Sequence, residues 1–135
     1  MSQRVFINLP VKDLKRSTKF FAELGYSFDP HFSDDTAAAL KLDQDNTAML
    51  LTHDKFKSFT NKPLPDPADT VGVLVALRFD TKAEVDSIMK KALASGGSEP
   101  KPTADLGFMY QRTFADPDGH RWEPFWFDPV ALPQA

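Results

Sequence analysis

NLPVKDLKRSTKFFAELGYSF, residues 8–28, holds the end of a strand, a helix cap, a helix and its stop in one run. Val5 to Val11 is rich in β-branched and aromatic residues, with Pro10 near the end where a missing N–H is tolerable, and this predicts a strand. Asp13 has the short polar side chain of an N-cap. Leu14, Phe21 and Leu24 then fall on one helical stripe with Phe20 beside them, and Gly25 supplies a stop, so a helix is expected over Leu14 to Leu24.

Working outward, three shorter strand-like segments follow, near Tyr26 to Phe32, Thr36 to Leu42 and Thr47 to Thr52. The turn-rich runs Ser33-Asp34-Asp35 and Asp43-Gln44-Asp45-Asn46 separate them. Lys55 to Thr70 alternates Pro63, Pro65 and Pro67 with small and acidic residues, which predicts an extended connector and disfavours helix.

The rhythm then restarts. Gly72 to Phe79 reads as a strand, and Thr81 with Glu84 forms a capping-box pattern. Val85, Ile88, Met89 and Ala92 have helical spacing, Lys90 and Lys91 suit the negative end of the dipole, and Gly96-Gly97 ends the helix. Strands are expected near Ser98 to Lys101, Phe108 to Ala115 and Trp122 to Phe127, the last two joined by the turn Asp116-Pro117-Asp118-Gly119. Strand, helix, three strands thus occurs twice. The expectation is an α+β chain of two βαβββ modules within one domain, 1–135: about 1–54, a connector of about 55–71, and about 72–128.

The 135 residues are 41% hydrophobic and 12% aromatic, enough to build a core and to exclude a disordered chain. The 16 basic and 19 acidic residues are interspersed, so no basic stripe could track a phosphate backbone, and nucleic acid is not an expected partner. Cysteine is absent, which excludes a disulfide framework, a thiolate zinc site and a cysteine nucleophile. The apolar part of MSQRVFINLPVKD is too short for a signal-peptide core, and no segment approaches membrane-spanning length. No membrane partner is expected, and a cytoplasmic location follows by default.

The front run NLPVKDLKRSTKFFAELGYSF and the back run FADPDGHRWEPFW resemble the vicinal oxygen chelate superfamily. That superfamily includes lactoylglutathione lyase (glyoxalase I), extradiol dioxygenases, fosfomycin-resistance enzymes and bleomycin-resistance proteins. The V-x-D-L-x-x-S helix entry, the mid-chain break and the D-P-D-G-x-x-W-E ending occur in order over nearly the whole chain. MLLTHDKFKSF and GFMYQRTFADPDGHRWEPFW are similar to a bacterial branch known as predicted lactoylglutathione lyases. The resemblance implies a glyoxalase/bleomycin-resistance fold, with sheets curled into a half-open barrel around a pocket and a homodimer as the usual assembly. In the enzymes of that superfamily, four inward side chains on the first and fourth strands of both modules hold a divalent metal.

Carried onto this sequence, those positions fall at Phe6, at or next to Leu50, at Leu74 and at Glu123. Only Glu123 is a ligand type, whereas zinc, nickel or iron in such a fold needs three or four nitrogen or oxygen donors. No metal or other cofactor is therefore expected, and a divalent ion would require the positions to be misassigned. The histidines His31 and His120 lack a paired acid at ligand spacing, alternation from Leu50 through Thr52 points His53 to the opposite face, and all three read as groups making local hydrogen bonds.

Period-two alternation from the same positions gives a pocket lining of Phe6, Asn8, Leu50, Thr52, Leu74, Ala76, Glu123 and Phe125. Such a lining suits a small apolar or aromatic guest. Asn8 is either a pocket hydrogen-bonding group or one satisfied by backbone at a bend near Pro10. Glu123 is the candidate catalytic residue, because a carboxylate facing an apolar cleft holds its proton more tightly; the competing role is an ion pair with Arg112 or Arg121. Tyr110 and Arg112 share a face and either clamp an anionic ligand or form a cross-strand surface pair. The leading expectation is a metal-free protein that binds or sequesters a small apolar or aromatic molecule, in the manner of bleomycin-resistance proteins. A metal-dependent enzyme of the lactoylglutathione-lyase or dioxygenase type is the alternative.

Overall fold

In the computed structural model, which describes residues 3–131, the first predicted strand and helix appear almost as read. β1 spans Val5–Val11 and α1 spans Leu14–Glu23. Asp13 caps α1, its carboxylate accepting from the Arg16 backbone N–H at 3.1 Å. Gly25 follows at φ +101°, a left-handed conformation that costs glycine least.

The chain divides into two compact units, Met1–Asp66 and Pro67–Ala135, inside the stretch read as the connector. The first unit continues with β2 (Ser27–Asp29), a 3-10 turn (Pro30–Phe32), β3 (Ala37–Lys41), β4 (Asn46–Thr52) and a short helix, α2 (His53–Lys57). Its open sheet has the order β1-β4-β3-β2, with β1 parallel to β4 and the other pairs antiparallel. β2 is shorter than its apolar pattern suggested because Pro30 follows it and the Asp29 carboxylate accepts from the His31 N–H at 2.9 Å, folding the chain into the 3-10 turn. α2 corrects the expectation of an extended connector from Lys55 onward. Thr52 caps it through Oγ1 to the Lys55 N–H at 3.3 Å, Asp54 sits in its first turn, and the prolines begin only beyond its end.

The second unit repeats the arrangement with β5 (Leu74–Arg78), α3 (Lys82–Ala94), β6 (Ala104–Asp105), β7 (Met109–Gln111), β8 (Phe114–Ala115) and β9 (Arg121–Phe127). Its order is β5-β9-β7-β6, with β8 also on β9, and β5 runs parallel to β9. In each unit the first strand therefore lies beside the last, which is the repeat inferred from the sequence. The strand expected at Ser98 to Lys101 contracts to a bridge between Ser98 and Ala115, with Pro100 and Pro102 following. The strand expected over Phe108 to Ala115 breaks at Arg112 and Thr113. Arg112 N–H still donates to the Pro124 carbonyl at 3.0 Å, but Pro124 has no N–H to return, and the ladder lapses there.

α1 packs on β3 and β4, and Phe20 and Phe21 are buried with Leu9, Leu40, Ala48 and Leu50. α3 packs on β8 and β9. Its Val85, Ile88, Met89 and Ala92 are buried, as the helical spacing predicts, together with Trp122 and Phe114, whose rings stack at 6.3 Å. Thr81 caps α3 as the capping-box pattern requires, Oγ1 accepting from the Glu84 N–H at 3.1 Å. Among the described residues, no helix is long and apolar enough to cross a membrane.

Candidate functional site

Side chains alternate along a strand, and partners in register share a face. β1 pairs with β4 as Asn8↔Met49, Leu9↔Leu50, Pro10↔Leu51 and Val11↔Thr52. Phe6 and Asn8 therefore share their face with Met49 and Leu51. Leu50 and Thr52, expected on that face, lie on the other. Leu50 is fully buried in the core, and Thr52 turns its hydroxyl to the cap of α2. A one-residue offset in β4 moves every side chain of the strand to the opposite face, which is the whole of the correction.

The face of Asn8 forms a hollow of about 300 Å³, with Ala37, Met49 and Leu51 beneath and the 3-10 turn and α2 segment at its sides. Phe32, Phe59, Lys55, His31 and Asp34 complete the wall. Phe6 stands beside it, edge-on to Phe32 with ring centroids 5.6 Å apart. Asn8 is exposed, so the expected buried amide is instead an open one, and its side chain has no hydrogen-bond partner among the described residues. Lys55 is half-buried, with Nζ 5.2 Å from the centre of the Phe59 ring. The Asp34 carboxylate accepts from both the N–H and the hydroxyl of Thr36, each at 2.8 Å. These bonds, aided by the charge of Lys55, hold its carboxyl below the usual range.

On the second unit's sheet, Ala76 pairs with Glu123 and Arg78 with Phe125, so Leu74, Ala76, Glu123 and Phe125 share one face as expected. Leu74 is 53% exposed on it. Phe125 stacks on Phe127, over which the Arg78 guanidinium lies at 4.4 Å. Glu123 makes no hydrogen bond or ion pair among the described residues, so neither Arg112 nor Arg121 is its partner.

Tyr110 and Arg112 do share surroundings, but on the α3 side, opposite Glu123. Tyr110 pairs with Trp126, donates to Asp86 of α3 at 2.6 Å, and has the Asp86 carboxylate raising its pKa. Arg112 reaches Glu99 through Nε and Nη2, both at 3.0 Å, and Asp86 through Nη1 at 2.9 Å. A guanidinium held by two carboxylates is not a free clamp, and its partners lie on α3 and in the loop after it rather than across a strand.

The D-P-D-G turn is more than a hairpin. Asp116 is buried, and its Oδ1 accepts from the backbone N–H groups of Asp118, Gly119 and His120 at 3.0, 3.1 and 3.0 Å. Its Oδ2 accepts from the Trp122 indole at 3.1 Å. Burial pushes this carboxyl up, opposed by His120 and the indole. His120 thus belongs to a structural knot. A second hollow of about 410 Å³ borders this turn, lined by Pro67, Ala68, Ser98, Pro100 and Arg121 beside the turn itself.

Of the four positions that the resemblance assigns to metal, three carry carbon side chains, and replacing Leu50 by its neighbour Met49 adds only a soft thioether. Among the described residues no group of three or more His, Asp or Glu side chains gathers in ligating geometry. The chelating set that the resemblance calls for is not built from these residues. What the sequence missed are Phe32, Met49, Lys55 and Phe59: the offset in β4 hid Met49, and the other three sit in turns or a helix where strand alternation has no reach.

The profile of the Glyoxalase/Bleomycin resistance protein/Dioxygenase superfamily matches residues 4–123. No protein of curated function matches the chain. Among solved structures, a glyoxalase-related enzyme from Fulvimarina pelagi is similar at 20% identity and TM-score 0.79, over 100% of this chain and 94% of that one. A hypothetical protein from S. aureus is similar at 24% identity and TM-score 0.78, over 93% and 94%. The bleomycin resistance determinant encoded on the transposon Tn5 is similar at 18% identity and TM-score 0.65, over 94% and 99%. At these identities the likeness is one of fold.

Proposed function

The chain belongs to the glyoxalase/bleomycin resistance protein/dioxygenase superfamily, and on that premise we propose that it is a metal-free binding protein that sequesters a small apolar or aromatic molecule. The observation that carries this reading is the hollow on the Asn8 face. It has an apolar floor of Ala37, Met49 and Leu51, aromatic walls in Phe32 and Phe59, and a few polar groups at the rim. Its volume lies at the lower end of the range for small-molecule sites. A guest with a flat apolar body and one polar handle satisfies both kinds of surface. The fold is shared with a bleomycin resistance determinant, and the sequestering role proposed for this chain follows that resemblance.

The proposal places the protein in the cytoplasm as a homodimer. β5 is an edge strand with Leu74 exposed beside Val73, an apolar edge that association would cover. The metal-dependent lyase or dioxygenase reading is favoured by one observation, the carboxylate of Glu123 that has no partner among the described residues. It lacks the further donors that a catalytic ion needs.

Two measurements on the purified protein separate these readings. A thermal-shift screen of small aromatic and apolar compounds is expected to raise Tm for at least one class, with metal analysis showing substoichiometric nickel, zinc and iron. Stoichiometric metal whose removal abolishes an isomerase, lyase or dioxygenase activity would overturn the proposal.

A further inference from the structure

We infer that the guest of the Asn8 hollow is an anion, a small aromatic carboxylate whose ring lies on Met49 and Leu51 and whose carboxylate is met by the Lys55 ammonium. This inference rests on the binding reading above and narrows it to a chemical class.

Three polar groups of the wall have side chains without a hydrogen-bond or ion-pair partner among the described residues: the Asn8 amide, the His31 imidazole and the Lys55 ammonium. The amide can donate, the imidazole can donate from one nitrogen, and the ammonium carries three donors and no acceptor. The ammonium is the one lysine or arginine charge among the described residues of the wall, and it is half-buried with the Phe59 ring beneath it. A cation taken partly out of water without a carboxylate against it is incompletely compensated, and an incoming anion restores what desolvation removed.

Asp34 is the opposing charge on the wall and must be weighed. Its Oδ1 is already occupied by the N–H and hydroxyl of Thr36 at 2.8 Å each. No ion pair joins it to Lys55 within 4.0 Å among the described residues. Asp34 is therefore engaged with its own turn through Oδ1 and meets Lys55 only as a charge beyond ion-pair distance, while the Lys55 ammonium touches no acceptor among the described residues. The apolar floor and the edge of Phe32 require that the rest of the guest be flat and greasy.

Calorimetric titration with three probes of one shape tests the inference: phenylacetate, its neutral analogue phenylacetamide, and the cation phenethylamine. The expected order of affinity is anion, then neutral, then cation, with phenylacetate at least about tenfold tighter than the amide. Lys55→Met is expected to erase that preference and Lys55→Arg to keep it, each checked for an unchanged circular dichroism spectrum. Equal affinity for phenylacetate and phenylacetamide overturns the carboxylate assignment and leaves the binding reading standing. Tightest binding of phenethylamine gives the handle to Asp34 and likewise overturns the assignment. Failure of all three probes overturns the assignment; failure of the wider aromatic and apolar screen as well removes the binding reading with it.

Discussion

Removing the Asp116 carboxylate should unfold the second unit's sheet from its last hairpin. In Asp116→Ala the buried Trp122 indole N–H loses its 3.1 Å hydrogen bond to Oδ2, and three backbone N–H groups of the turn lose theirs to Oδ1, although that of Gly119 keeps the Asp116 carbonyl at 2.9 Å. A buried donor left unsatisfied costs about 1–3 kcal/mol, while N–H groups nearer the surface recover water in part. The sum for Asp116→Ala is about 3–5 kcal/mol, a large share of a domain's total stability. Asp116→Asn keeps one acceptor oxygen for the turn but presents an NH2 to the indole, so about 1–3 kcal/mol is expected from that single mismatch. Burial holds the Asp116 carboxyl above its unfolded value, so the protonation-linked part of its contribution is complete below that unfolded value and is lost as pH rises through the folded one, while the hydrogen bonds accepted by its oxygens remain. Asp116→Asn should remove that slope. Urea unfolding followed by tryptophan fluorescence reads these losses as shifts in midpoint at constant m-value. A cycle with Trp122→Phe should show a coupling of about 1 kcal/mol or more. An Asp116→Ala protein within about 1 kcal/mol of the parent would refute the reasoning.

Gly119 has φ +102°, and a Cβ there would lie 2.8 Å from the Pro67 carbonyl oxygen, whereas Gly25, at φ +101°, has nothing within 4 Å. Gly119→Ala should therefore cost more than the ~1–2 kcal/mol expected of Gly25→Ala, and equal losses in denaturant titrations would contradict the close approach. Leu50→Ala should destabilise by ~2–5 kcal/mol with little effect on ligand affinity, while Met49→Ala should do the reverse; exchanged outcomes would restore the alternation first read from the sequence. Burial pushes the Tyr26 hydroxyl up to about 12 from 10.0, and Tyr110 is also raised, chiefly by its hydrogen bond to Asp86. Because the folded value of Tyr26 lies above the unfolded one, its stabilisation is intact below pH 10.0 and is lost as pH climbs towards about 12. Absorbance at 295 nm should show both tyrosines with midpoints above 10.0 in the parent, and Asp86→Asn should bring one of them down.

Much of the fold was legible because local and global signals agree. Asp13 and Thr81 are caps in the sequence and caps in the structure, and the Val85, Ile88, Met89 and Ala92 stripe is the buried stripe. The duplicated strand order followed from the same rhythm. The site was less legible because it depends on parity. Phe6 and Asn8 kept their face, but β4 offered an apolar run, Ala48 to Leu51, in which nothing in composition says which alternate residues face the core. Pairing with β1 decides it, and that is a contact between residues some forty positions apart. Tyr110 and Arg112 failed as ligand groups for a related reason: Asp86 and Glu99, which engage them, are distant along the chain. Asp116 showed the converse, since the D-P-D-G-x-x-W spacing contains the carboxylate and the indole it holds, although it reads at first only as a turn.

The central claim is that a small molecule binds on the Asn8 face without help from a metal. A two-dimensional ¹H–¹⁵N spectrum of the protein in EDTA, titrated with phenylacetate, tests it most directly. Saturable shifts should concentrate at Asn8 (including its side-chain amide), Phe32, Met49 and Lys55 and leave Leu50 nearly unmoved. Shifts confined to other surfaces, or appearing only when a divalent metal replaces the chelator, would contradict it.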